Sequence, residues 1–205
     1  MLNKGTLFII SAPSGGGKTS LVKALIEKIE RVCISISYTT RLIRPQEQEG
    51  VDYHFINKDD FKNKIREGVF LEHAEVFGNF YGTSHVLVED LQNQGFDVVL
   101  EIDWQGAAQV RQKFPDAISI FILPLSYDVL AERLKKRHPN NIKMIEERMR
   151  EARDHIVHYH EYDYVIFNDT FDEALGDLIA IIRAHRLRLA RQQVVKQEIL
   201  NKLLS

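Results

Sequence analysis

Ser11-Ala12-Pro13-Ser14-Gly15-Gly16-Gly17-Lys18-Thr19 follows the apolar run Leu7-Phe8-Ile9-Ile10 and leads into Leu21-Val22-Lys23-Ala24-Leu25-Ile26. A strand, a glycine-rich turn, a Lys-Thr pair and a helix start in that order describe a phosphate cradle. Glycines let successive backbone N–H groups turn onto phosphate oxygens, and the helix N-terminus adds positive potential. Lys18 supplies a point charge and Thr19 offers a hydroxyl to Mg²⁺. The pattern G-x-x-x-x-G-K-[ST] asks for glycine at position 12, where this chain has Ala12. Glycine-rich loops also occur as plain turns, but the flanking strand and helix favour a nucleoside triphosphate site.

Working outward, strand and helix patterns alternate. Apolar runs at residues 6–10, 32–37, 97–102, 117–123 and 163–167 read as buried parallel strands. Helices are expected from Lys18 to about Glu30, Gln105 to Lys113, Ser126 to Arg137, Ile142 to His160, and Phe171 to near the C-terminus. Five strands with crossover helices imply a doubly wound α/β sheet. Residues 38–95 break the rhythm with short β-like pieces at 53–56 and 70–77, a helix starting near Asn57 or Asp59, and the turn Gly78-Asn79. They read as an inserted lobe over the C-terminal edge of the sheet, where ligands bind in open α/β folds. The expected division is therefore a core of residues 1–37 and 96–205 and a lobe of residues 38–95. In the last helix Leu187, Val194, Val195, Ile199 and Leu203 form a partial apolar stripe, which fits either docking or assembly into a homo-oligomer.

Composition fits a compact enzyme: 205 residues, 44% hydrophobic and 27% charged, enough to bury a substantial core. A net charge of -2 gives no overall pull toward nucleic acid or membrane, so neither is expected as a partner. The single cysteine, Cys33, has no partner for an internal disulfide and reads as a packed strand residue. No secretory signal or bilayer-length apolar run is visible, so a cytoplasmic location is expected.

A phosphate loop alone does not separate ATPases, GTPases, nucleotide kinases and transporters. Ser37-Tyr38-Thr39-Thr40-Arg41-Leu42-Ile43-Arg44-Pro45 sets two arginines three positions apart beside several hydroxyls, a composition that grips a second phosphate by bidentate bonds. Tyr53 and Tyr81 can add hydroxyl donors, although taken singly each reads as a core aromatic.

These segments resemble the guanylate kinase family from Leu7 to about Leu178. The resemblance is carried by S-A-P-S-G-G-G-K-T, S-Y-T-T-R-L-I-R-P, G-V-D-Y-H-F, F-L-E-H-A-E-V-F-G-N-F-Y-G-T and L-E-I-D-W-Q-G, in order. It implies a P-loop nucleoside monophosphate kinase fold: a parallel five-stranded sheet flanked by helices, an inserted mixed α/β GMP-binding lobe, and a helical lid at about residues 133–148. It implies transfer of the γ-phosphoryl group of MgATP to GMP, and to dGMP. The ATP set would be Ala12, Pro13, Ser14, Gly15, Gly16, Gly17, Lys18, Thr19, Ser20, Arg133 and Asn168, with Thr19 on the Mg²⁺. The GMP set would be Ser37, Arg41, Arg44, Tyr53, Glu72, Tyr81, Thr83 and Asp103. Lys18, Arg41, Arg137 and Arg148 would carry catalysis.

The chemistry of Glu72 supports this separately. Guanine shows two adjacent donors, N1–H and the N2 amino group, which one carboxylate accepts together; adenine presents an acceptor at N1. A site that leaves buried polar partners unmatched discriminates by roughly 10⁴ or more. The plain alternative is an exposed strand carboxylate. Asp103 can hold a Mg²⁺ water, touch GMP or cap a strand end; the resemblance favours GMP, with Glu101 in the metal shell. Arg133, Arg137 and Arg148 match lid arginines, with a solvated helix face as the alternative. The lid departs from the family pattern at His138-Pro139-Asn140-Asn141, and Asn168-Asp169 has helix capping as its competing reading. His155, His158 and His160 do not share one helical face, so no metal site is expected of them. The alternative function is a catalytically inactive, guanylate-kinase-like protein-binding module.

Overall fold

The computed structural model of the chain describes residues 4–137 and 141–205, with Arg137 described by its backbone alone. The apolar run that opens the chain becomes β1 (Leu7–Ser11), and α1 (Lys18–Lys28) follows the glycine loop. The next elements are β2 (Val32–Ile34), β3 (Tyr38–Thr39), β4 (His54–Phe55), α2 (Lys58–Arg66), β5 (Phe70–Val76), β6 (Asn79–Ser84) and α3 (His85–Asn93). Then come β7 (Asp97–Glu101), α4 (Trp104–Lys113), β8 (Ile118–Leu123), α5 (Tyr127–Arg137) and α6 (Ile142–Ile156). β9 (Tyr164–Phe167), α7 (Phe171–Arg186), α8 (Leu189–Val195) and α9 (Gln197–Leu204) complete the chain.

All five expected strands form one sheet in the order β2-β7-β1-β8-β9. Every pairing in it is parallel, with Phe8 opposite both Val99 and Ile118. Because side chains alternate along a strand, β1 divides its apolar residues between two cores. Phe8 and Ile10 pack with Leu21, Leu25, Leu175 and Leu178 on the α1/α7 face. Leu7 and Ile9 pack with Val88, Ala107 and Val110 on the α3/α4 face. β1 sits between β7 and β8; the chain passes from β1 to β2 on one side and from β7 to β8 on the other, so the strand order reverses beside β1 and a crevice opens at its C-terminal end.

Residues 38–84 build a second, mixed sheet in the order β4-β3-β6-β5. Phe61 from α2 stacks on Phe70 and Phe80 to give it an aromatic core. α3, at the end of the inserted stretch, sends Val88 into the core beside Val98 and Leu100.

The structure corrects three boundaries. The strand expected at 32–37 ends at Ile34, and Ser35 to Ser37 turn away toward the crevice. The helix expected to reach His160 ends at Ile156 and continues as a 3-10 turn over Val157–Glu161, where the His158 ring stacks on Trp104 at 3.7 Å. The single long C-terminal helix is three helices, broken at Leu187-Arg188 and at Lys196. The first break follows from charge: Arg186 and Arg191 both converge on the buried Asp97 at 2.7 and 2.8 Å, which bends the chain around the sheet edge. Ile199 and Leu203 of α9 lie exposed. No helix among the described residues is long and apolar enough to cross a membrane.

Candidate active site

The glycine loop is shaped by left-handed backbone at Gly15 and Gly17, with φ of 85° and 92°. The Gly16 N–H closes the turn on the Pro13 carbonyl at 2.9 Å. Gly17 is the N-cap of α1, and it brings no side chain and no first-turn acid to that end. The first amides of α1 are thus left for an anion. Lys18 Nζ donates to the Ile102 carbonyl at 3.1 Å, which aims the ammonium along the crevice beside β7. Thr19 Oγ1 donates to Glu101 Oε1 across the same gap. This pair gives two hard oxygen donors, the number suited to a Mg²⁺ ion that brings its other oxygens from phosphates and water.

The second half of the site comes from the mixed sheet. Arg41 makes a two-bond fork with Glu47, at 2.9 and 2.8 Å, and lies against the Tyr53 and Phe55 rings. The Arg44 guanidinium stands 3.8 Å from the same carboxylate, and its backbone N–H donates to it at 2.9 Å. Burial pushes the Glu47 carboxyl up, but the hydrogen bonds from Arg41 and Arg44 outweigh it and hold the group below the usual range. Tyr53 and Tyr81 face each other, ring centres 6.0 Å apart, and burial raises the Tyr53 phenol so that it stays a donor.

Deeper in, Glu72 is 3% exposed. Thr83 Oγ1 donates to its Oε1 at 2.6 Å, and Ser37 Oγ stands 3.2 Å from that hydroxyl. Desolvation, opposed by the Thr83 bond and aided by the nearby Asp103 charge, pushes the Glu72 carboxyl up to about 7. Asp103 is the N-cap of α4, its Oδ1 accepting the Gly106 N–H at 2.9 Å, so the capping reading holds and the carboxylate still borders the crevice.

A single cavity of about 340 Å³ joins these parts. Ala12, Ser14, Lys18 and Thr19 line one end, Ser37, Arg41, Arg44, Tyr53, Glu72 and Tyr81 the other, with Glu101, Asp103 and Arg148 between. Arg148 Nη1 donates to Ser14 Oγ at 3.0 Å and its guanidinium lies 5.1 Å from the centre of the Phe77 ring, so this α6 arginine spans the loop and the β5-β6 hairpin. Thr83 lies behind Glu72 as its hydrogen-bond donor. Arg133 and Asn168 lie outside the lining: Arg133 Nη2 donates to the Asn168 carbonyl at 3.0 Å, and Asn168 Nδ2 donates to the Gly16 carbonyl at 2.8 Å. They brace the loop from behind. The Arg137 side chain and residues 138–140 of the expected lid lie outside the described residues.

Sequence reasoning missed Glu47, Phe77 and His155. Glu47 carried a signal, since it sits three residues after Arg44 and six after Arg41. Phe77 has φ of 51°, a left-handed conformation rare for a bulky residue, which no residue pattern announces. His155 was set aside with its neighbours as a metal ligand, yet it lines the cavity; burial pushes its pKa down and Lys18 reinforces this, against Asp103.

A parallel sheet with a glycine-rich P-loop at its switch point, facing an arginine pair on a second, mixed sheet, is the architecture of a P-loop nucleoside monophosphate kinase. The family profile described as guanylate kinase matches residues 4–185. Proteins named guanylate kinase from Hahella chejuensis and Alkalilimnicola ehrlichii are 56% and 53% identical to the chain. The first alignment covers 93% of this chain and 92% of the relative, the second 98% of each. The solved guanylate kinase of Anaplasma phagocytophilum superposes with a TM-score of 0.78 at 33% identity, over 96% of both chains. The chain belongs to the guanylate kinase family.

Proposed function

We infer that the protein transfers the γ-phosphoryl group of ATP to the phosphate of GMP or dGMP, giving ADP and GDP or dGDP. The observation that carries this is the shared cavity, in which a phosphate loop and a buried carboxylate with flanking arginines face one another. Core residues 1–37 and 96–205 would hold the donor and residues 38–95 the acceptor.

A GMP phosphate oxygen attacks the γ-phosphorus as the bond to the β,γ-bridging oxygen breaks, and ADP leaves with that electron pair. Such a reaction asks for positioning and charge rather than a strong base. Arg41, Arg44, Tyr53 and Tyr81 would hold the acceptor phosphate, and Arg41 is already ordered by Glu47. Glu72, ionised, would accept both guanine donors, with Ser37 and Thr83 beside it and Asp103 on the far edge of the nucleotide. The loop amides from Ala12 to Ser20, with Lys18, would cradle the donor phosphates. Arg148 and Arg137 would meet the charge on the transferred group, while Arg133 and Asn168 keep the loop in shape. Mg²⁺, held with the triphosphate by Thr19 and the nearby Glu101, would supply further positive charge at the β and γ oxygens.

A coupled assay for ADP release tests the reading with GMP, dGMP, AMP, CMP, UMP and dTMP as acceptors. GMP and dGMP are expected to turn over and the others to give little product. A folded protein inert toward GMP would instead be a protein-binding module, and a preference for AMP would remove Glu72 from base recognition.

A further inference from the structure

Gly106 lies in the first turn of α4, three residues beyond the cap Asp103. Its backbone is helical and not left-handed, so nothing in the chain path asks for glycine. Glycine inside a helix is ordinarily worse than alanine. The reason for it is steric: a Cβ built here would stand 3.1 Å from Glu72 Cδ and inside contact distance of Oε2. Glu72 has little room to step aside, because it is buried and its other oxygen is fixed by Thr83 at 2.6 Å.

We infer that Gly106 is a specificity-determining position: its missing side chain lets Glu72 seat its carboxylate against the first turn of α4, where the carboxylate meets both donors of guanine. This rests on the acceptor reading given above. The glycine opens the space, and Asp103, by accepting the Gly106 N–H at 2.9 Å, fixes the turn that bounds it.

Gly176 in α7 is the internal control, since nothing lies within 4 Å of a Cβ built there. Steady-state kinetics and thermal unfolding of the full chain compare Gly106→Ala and Gly176→Ala. Gly106→Ala is expected to raise the GMP KM about tenfold or more, because a hydrogen bond to a charged group, lost when Glu72 is displaced, is worth roughly 10- to 10²-fold in binding. The ATP KM is expected to hold, and the preference for GMP over AMP to shrink. Gly176→Ala is expected to leave both KM values alone and raise the unfolding midpoint. In a Glu72→Ala background, Gly106→Ala is expected to raise that midpoint too, and to fold even if the single Gly106→Ala variant does not. An unchanged GMP KM in Gly106→Ala, or destabilisation that persists without the Glu72 carboxylate, overturns the inference while GMP turnover by the wild type leaves the functional reading standing. A wild type inert toward GMP overturns both.

Discussion

Glu72, in the base-reading role proposed for it, couples acidity to recognition. Its carboxyl is pushed up to about 7, above the ordinary 4.5, mainly by burial. With a folded value above the unfolded one, its favourable contribution to stability is present below 4.5 and is lost as pH rises through 7. Guanine binding has the opposite demand, since only the ionised form accepts both donors. Below pH 7 the bound proton must first leave, so kcat/KM for GMP is expected to fall by up to about tenfold per pH unit. A pH series at saturating ATP checks this, and Glu72→Gln should flatten the profile while lowering guanine selectivity by about 10- to 10²-fold. Lys18 acts on charge rather than on choice. Lys18→Ala is expected to lower kcat by about 10²- to 10³-fold with GMP selectivity retained, and a variant that changes selectivity but not kcat would contradict its placement on the donor phosphates.

Among the elements, the start of β7, an inner strand paired with both β2 and β1, is the most heavily committed. Asp97, its first residue, is fully buried and accepts from the Thr6 backbone N–H at 2.8 Å and from Arg186 and Arg191. It thus ties α7 and α8 to the strand that ends in Glu101 and leads to Asp103. Removing one side of a buried charge cluster costs most when the other side stays buried; here both arginines can swing out to water. Asp97→Ala is therefore expected to cost about 3 kcal/mol, the low end of the range for breaking a buried pair, read from urea unfolding. A cost near zero would mean that apolar contacts alone hold the C-terminal helices. The glycine loop rests on an element in the same way: a Cβ on Gly15 would meet Leu130 and Leu134 of α5 at 3.2 Å, so α5 packs directly under the loop.

At the scale of the molecule, two sheets meet across one cavity: on its closed side β5 is tied to α4, with Gln109 Nε2 donating to the His73 carbonyl at 2.8 Å and Lys113 Nζ to the Leu71 carbonyl, and on its open side Arg148 lies against Phe77 and Lys23 stands 3.5 Å from Asp52. On that open side, ligand is expected to draw the mixed sheet toward the glycine loop. GMP at about 100 times its Kd is expected to add about 2.7 kcal/mol to the unfolding free energy. Joint occupancy by GMP and a non-hydrolysable ATP analogue should lower the radius of gyration in X-ray scattering, and an unchanged radius would mean that the lobes do not close. Much of this was legible in the chain, because a loop that binds phosphate through its own backbone and a strand buried on both faces are local facts, written in consecutive residues such as Ser11 to Thr19 and Val98 to Ile102. The order of the five strands follows from the same patterns only through packing, and the break of the C-terminal helix depends on Asp97, some ninety residues from its arginine partners. Phe77 against Arg148 and Gly106 making room for Glu72 are likewise decided by tertiary structure alone, whereas Glu47 clamping Arg41 left a trace in the chain through its spacing from Arg41 and Arg44. By itself the sequence pointed to the glycine loop, the arginine pair and Glu72 as the candidate site; the fold decided which of them share one cavity and which atoms stand behind them, because burial, charge pairing and missing volume are properties of neighbours in space.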